Sequence, residues 1–94
     1  MALFELGRLL ATPAALKFCG EHRIDMLELV QRHLKGDWGH VSGYDKARNR
    51  EAVGNGARIF SSYHFEKGRV WIITAATDDN GERDHTTVML PSDY

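Results

Sequence analysis

Several kinds of chemistry are absent from this sequence or nearly so. Cysteine occurs once, at Cys19, so the chain can make neither an internal disulfide nor a multi-cysteine zinc site. A reducing compartment is the expected setting. Proline occurs only at Pro13 and Pro91, and both read as element boundaries. No apolar run reaches the roughly 18 residues of a membrane span. The start, Met1-Ala2-Leu3-Phe4-Glu5, lacks the basic-then-apolar layout of a secretory signal, so a cytoplasmic location is expected. No sign of charge dominates: 12 basic and 13 acidic side chains leave a net charge of −1. That excludes a global field for coating nucleic acid but leaves room for a local basic patch.

What remains is a globular composition, 43% hydrophobic and 27% charged over 94 residues. It fits one domain, 1–94, and neither a disordered nor a fibrous chain. Thr12-Pro13 reads as a helix start, with Gly20 as its stop. Residues 3–11 are ambiguous between strand and helix. Asp25 with Glu28 reads as a capping box, and Ile24 with Leu29 as a hydrophobic staple. Met26, Leu27, Leu29, Val30 and Leu34 then give an apolar stripe that ends at Gly36. A third, mostly polar helix is expected from Ser42, with a narrow apolar edge at Tyr44, Ala47 and Val53. Gly54-Asn55-Gly56 breaks it. Residues 57–65 alternate, 69–76 are apolar on both faces, and 86–90 are β-branched. Trp71 is expected deep in the middle strand. The expected fold class is α+β: a helical N-terminal half followed by a three-stranded antiparallel β-meander packed against helices.

Several segments together resemble a known group. They are Phe4-Glu5-Leu6-Gly7 with Ala11-Thr12-Pro13, then Arg32-His33 with Gly36-Asp37-Trp38-Gly39, and Asp45 with Asn49. Arg58-Ile59, Ser62-Tyr63, Val70-Trp71-Ile72-Ile73-Thr74 and Thr86-Thr87 through Leu90-Pro91 to Tyr94 complete the set. The chain resembles small "plasmid-related" proteins of bacterial plasmids, phages and integrative elements, some labelled type I restriction endonuclease subunit M. The likeness spans nearly the whole chain, and the turn around Asp79–Arg83 is longer here. It implies a mobile-DNA setting and no specific activity. The methyltransferase label fails on the residues: there is no glycine-rich cofactor loop after a first parallel strand and no Asn-Pro-Pro-aromatic segment.

Candidate chemistry is thin, and each candidate has a plainer structural explanation. His33, Asp37 and His40 could converge as a metal site or an acid–base pair, but Gly36-Asp37-Trp38-Gly39 reads better as a structural joint around a core tryptophan. His64 and His85 lie in adjacent strand regions, and His85-Thr86-Thr87 is one half of a paired His-x-Thr phosphoesterase pattern whose other half is missing. Lys46, Arg48, Arg50 and Arg58 form a local basic stretch suited to phosphates or to an acidic protein surface. Phe60, Tyr63, Phe65 and Trp71 would serve as a stacking platform or, more simply, as core. Cys19 reads as buried and inert.

The expected function is therefore that of a non-enzymatic binding module in mobile-element biology, with a regulatory or anti-defence role. No cofactor, metal or membrane is expected, and a protein partner is placed ahead of nucleic acid. The alternative is a small hydrolase or nuclease using His33, Asp37, His40, His64 or His85. A third reading is a structural homodimer.

Overall fold

The helices begin where short polar side chains can take up orphan backbone N–H groups. The computed structural model describes residues 2–94. Strand β1 is Arg8–Ala11, helix α1 Pro13–Glu21, helix α2 Met26–Leu34 and helix α3 Gly43–Asn55. Strands β2 Ile59–Phe65, β3 Gly68–Thr74 and β4 His85–Met89 follow, and a 3₁₀ turn spans Pro91–Asp93. Thr12 caps α1 by accepting the Ala15 N–H at 3.0 Å. Asp25 caps α2 through Glu28 N–H at 3.2 Å, and Ser42 caps α3 through Asp45 N–H at 3.0 Å. Gly56 closes α3 in the left-handed conformation. Helix α1 runs through Gly20 to Glu21 instead of stopping, and is closed by the His22 N–H, which donates to the Phe18 carbonyl. Among the described residues no helix is long and apolar enough to cross a membrane.

The sheet is four-stranded and mixed, in the order β1-β4-β3-β2. The antiparallel meander β2-β3-β4 forms as expected, but β1 adds to it parallel to β4. This corrects the three-stranded sheet and the helical N-terminal half, and resolves the ambiguous residues 3–11 as a strand over Arg8–Ala11. Arg8 N–H donates to the Asp84 carbonyl and Thr12 N–H to that of Val88, both at 3.0 Å. These partners lie at the far end of the sequence, so no local pattern in residues 3–11 could announce the strand. Gly7, at φ 65°, turns the chain into β1 where a Cβ would collide with the Arg83 carbonyl.

Strand alternation then sorts the side chains onto two faces. One face, carrying Ile59, Ser61, Tyr63, Val70, Ile72, Thr74, Thr86 and Val88, is fully buried. Ala15 and Cys19 of α1 and Leu29 and Val30 of α2 pack on it, as expected of a helix pair. Each of the larger apolar side chains there contributes about 1.5–3 kcal/mol. The opposite face carries Leu10, Phe60, Ser62, His64, Arg69, Trp71, Ile73, Thr87 and Met89. Leu10, Trp71, Ile73 and Met89 join neither of the two core clusters. Trp71 is half-buried, not deeply buried: β3 is interior to the sheet, yet α1 and α2 cover only the other face, and on this one Ile73 and Ser62 are buried while Phe60 packs beside α3.

Helix α3 lies along the outer edge of β2. Its buried residues are Asn49 and Ala52, whereas Tyr44 is exposed, which corrects the apolar edge expected from Tyr44. The Asn49 amide imitates a neighbouring strand. It accepts the Phe60 N–H at 3.0 Å and donates to the Phe60 carbonyl at 2.6 Å. Farther along the same edge, Ser62 N–H donates to the Trp38 carbonyl and His40 N–H to the Ser62 carbonyl. The His64 N–H donates to His40 Nδ1. The outward groups of β2 are thereby occupied, which blocks edge-to-edge association on this side.

Candidate functional site

The segment Gly36-Asp37-Trp38-Gly39 is a joint between α2 and the β2 edge. Gly36 and Gly39 both take positive φ, 90° and 76°. Trp38 is buried against Val41, Ala52 and Ile59. Asp37 forms a two-pronged pair with Arg32, at 2.7 and 3.3 Å, and accepts the Gly39 N–H. The Arg32 hydrogen bond, foremost, holds the Asp37 carboxyl below its usual range. The Asp37 carbonyl accepts the Tyr63 hydroxyl at 2.7 Å, and burial pushes that phenol up to about 12. A Cβ on Gly39 would run into the Ser62 carbonyl and the Tyr63 ring, while one on Gly36 meets chiefly the mobile end of Leu3. Gly39→Ala is therefore expected to lower the melting temperature more than Gly36→Ala. Asp37→Asn, which keeps one acceptor oxygen, should change it least. A thermal melt of the three variants checks the order.

His33, chosen from the sequence as a ligand or acid–base residue, is entirely enclosed. Its Nδ1 lies 2.6 Å from Ser61 Oγ and its Nε2 2.9 Å from Thr74 Oγ1. Thr74 Oγ1 is 2.7 Å from Thr86 Oγ1, which donates to the Leu6 carbonyl at 2.8 Å. A carbonyl can only accept, so the proton order along this chain is determined. Thr86 donates to Leu6, Thr74 to Thr86, and His33 Nε2–H to Thr74, leaving Nδ1 to accept from Ser61. Desolvation first, and then the nearby Arg83 charge, lower His33 to about 3. The imidazole is a neutral internal tie between α2 and three strands, with no access for a substrate.

The other histidines separate. His64 and His85 are not neighbours, because β3 lies between β2 and β4; they pair across the strands with Arg69 and Arg8. His85 instead contacts Asp84 at 2.9 Å. His40 and His64 do meet: their rings stack at 4.5 Å and 9°, with His64 Nε2 3.1 Å from Ser62 Oγ. Desolvation, then the Arg69 and His40 charges, hold His64 below its ordinary value. One nitrogen of each ring is already engaged, His40 Nδ1 by the His64 N–H and His64 Nε2 by Ser62. Among the described residues no three His, Cys, Asp or Glu side chains are placed to hold a metal ion.

The basic stretch also divides. Lys46 and Arg50 line a cleft with Trp38 and Leu3, while Arg48 and Arg58 face the other way. Arg48 donates to the Tyr44 hydroxyl and Arg58 to the Tyr94 hydroxyl, at 3.0 and 2.9 Å. The expected stacking platform divides too, because Tyr63 lies inside the core and Phe65 on the covered side. Phe60 and Trp71 remain on the open face in an edge-to-face pair at 5.1 Å. Tyr94 joins them, at 5.7 Å from Trp71. Asp45, Arg58, Phe60, Trp71, Ile73 and Tyr94 line a shallow cleft of about 240 Å³. Sequence reasoning passed over Tyr94 as a functional residue; its one signal was an aromatic just beyond the proline that stops the last strand. Arg69 was also passed over, its type and spacing being those of any exposed strand residue. Comparison of the chain with protein-family models, with curated proteins and with solved structures gives no match.

Proposed function

We propose that this protein is a non-enzymatic binding module whose contact surface is the open face of its sheet. The family resemblance points to bacterial mobile DNA as the setting, and a regulatory or anti-defence role in the cytoplasm is attached to it by analogy with other small proteins of such elements. One observation carries the reading. Phe60, Trp71 and Tyr94 form an aromatic cluster on the sheet face opposite α1 and α2, with Arg58 beside it. Rigid aromatic side chains with an arginine at their rim are the composition of binding hot spots. The chemistry-bearing histidines support the same reading by being buried, paired to aspartate or stacked, without a shared cleft.

The test is affinity capture from a host extract, with and without nuclease treatment. Wild-type protein is compared with Tyr94→Ala and Arg58→Glu, both exposed changes that should leave the melting temperature within a few degrees. A partner held by wild type and lost by both variants is the expected outcome. A partner retained equally by all three would remove the open face from consideration. The hydrolase reading has one observation in its favour, the meeting of His40 and His64 beside Ser62. Phosphodiesterase turnover that disappears in His64→Ala would put it first.

A further inference from the structure

Building on the open face as contact surface, we propose that its occupant is a single-stranded polynucleotide, its bases stacked on Trp71, Phe60 and Tyr94 and its phosphates held by Arg58 and Arg69. The strand register lays the face out in rows. Phe60, Ile73, Thr87 and Leu10 stand side by side across the four strands, and Ser62, Trp71 and Met89 form the next row. His64 and Arg69 bound these apolar rows at one end. Arg58, just before β2, and the cross-strand pair His85 and Arg8 bound them at the other. The middle is aromatic and aliphatic, and each end carries one arginine without an ion pair, Arg69 at one and Arg58 at the other.

The charges at the two ends differ in how they are engaged. Asp84 holds Arg8 and His85. Arg58 and Arg69 take part in no ion pair among the described residues. Arg58 is instead fixed by the Tyr94 hydroxyl, its guanidinium 5.8 Å from the ring centre. It is thus held beside the aromatic cluster, with Asp45 on the same cleft but not paired to it. Asp45 is the one carboxylate on the cleft, and it offers an acceptor to the amino edge of a base. Tyr94 is 73% exposed, so its ring is free to take a base.

This arrangement selects among occupants. Aromatic rings set edge-to-face beside two arginines, with the Tyr94 ring exposed, offer separate faces to the bases and cations to the phosphates of an unpaired strand. A duplex keeps its base faces stacked inside and would meet only the arginines. A second copy would bring basic rows against basic rows. The face is also small for a dimer: four strands about 4.8 Å apart and six residues long give roughly 300 Å², against about 800 Å² per partner in a stable interface. That area suits roughly two or three bases, the number stacked on the four-stranded sheets of unrelated RNA-binding modules. These stacking and phosphate contacts do not involve a sugar hydroxyl, so DNA and RNA strands of one sequence should bind alike.

The experiment is a titration of intrinsic tryptophan fluorescence, for which Trp71 is the reporter on the face. The probes are a single-stranded deoxyribo-decamer, its RNA counterpart, the matching duplex, and polyglutamate as an anionic control. Saturable quenching by both single strands, weakened by added salt, is expected, with duplex and polyglutamate at least about tenfold weaker. Tyr94→Ala and Arg58→Glu should each weaken binding about tenfold with unchanged melting temperature. Absence of saturable quenching, equal binding of duplex or polyglutamate, a tenfold preference for one sugar, or full affinity in both variants would overturn the proposal. A nuclease-resistant protein partner captured through the open face, without oligonucleotide binding, would overturn it and leave the binding-module reading intact. Failure of both experiments would remove both.

Discussion

Acidifying the protein from pH 7 to pH 4 is expected to remove about 3 kcal/mol of stability through His33 alone. The folded protein holds His33 neutral, lowered to about 3 by desolvation and by the Arg83 charge. The unfolded chain protonates the same imidazole near its ordinary value of about 6.5. Between those two values the unfolded state binds more protons, so stability rises with pH and is lost as pH falls. The hydrogen-bond order gives the structural reason. A second ring proton would sit on Nδ1, which now accepts from Ser61, and both nitrogens would then be donors. His64, also held low, adds in the same direction but is exposed. Asp37, Asp84 and Asp93 are held below the ordinary carboxylate value by their hydrogen bonds, so their contributions disappear only below about pH 4. The window above pH 4 therefore reports the histidine. Melting wild type and His33→Gln at intervals from pH 7 to pH 4.5 is the measurement. The glutamine variant should start lower, because it fits the Ser61–Thr74 gap imperfectly, but decline much less. Parallel slopes for the two proteins would show that His33 is not the acid-sensitive group.

Replacing Arg83 is expected to lower the melting temperature by at least about 12 °C, corresponding to about 3 kcal/mol in a domain of this length. Its guanidinium, nearly excluded from solvent, donates to three carbonyls: Ala57 at 2.7 Å, Ala75 at 2.9 Å and Ala52 at 2.9 Å. It ties the last turn of α3 to the start of β2 and to the end of β3, with its head 5.7 Å from the Phe4 ring. Methionine at this position keeps the length of the stem and strips the three carbonyls of this donor. Ala52 keeps the Gly56 N–H at 2.9 Å, so the loss falls on the Ala57 and Ala75 carbonyls, each worth about 1–3 kcal/mol when left buried and unpaired. Lysine should recover only part of the loss, since one ammonium cannot reproduce the planar spread of five N–H groups. Denaturant melts of Arg83→Met and Arg83→Lys decide this. A methionine variant as stable as wild type would mean that these carbonyls are served by water.

Neither of these residues stood out in the sequence for its role. His33 was selected for the wrong reason. Its type suggested a ligand or a base, and only the packing of α2 on the sheet shows it closed in between Ser61 and Thr74. Arg83 directly follows the run Asp78-Asp79-Asn80-Gly81-Glu82, which has the composition of a solvated turn, and its carbonyl partners lie 8, 26 and 31 residues away.

Local chemistry was legible wherever the relevant partners lie a few residues apart. Thr12, Asp25 and Ser42 each cap a helix by bonding an N–H three residues on. Gly36, Gly39 and Gly56 occupy left-handed positions where a helix ends or a chain reverses. The alternation of β2 correctly placed Ile59, Ser61 and Tyr63 opposite Phe60, Ser62 and His64, because the period of a strand is a property of the backbone. Tertiary structure alone decided which of those faces the helices would cover. An apolar residue such as Trp71 is equally at home under a helix or under an aromatic cluster at the surface, and nothing in its own segment distinguishes the two. The parallel pairing of Arg8–Ala11 with the last strand, the edge closure by Asn49, and the meeting of Tyr94 with Trp71 and Arg58 are likewise long-range. Each depends on loop closure between segments whose attraction is settled by the packing of the whole chain, and so leaves no period or spacing to read.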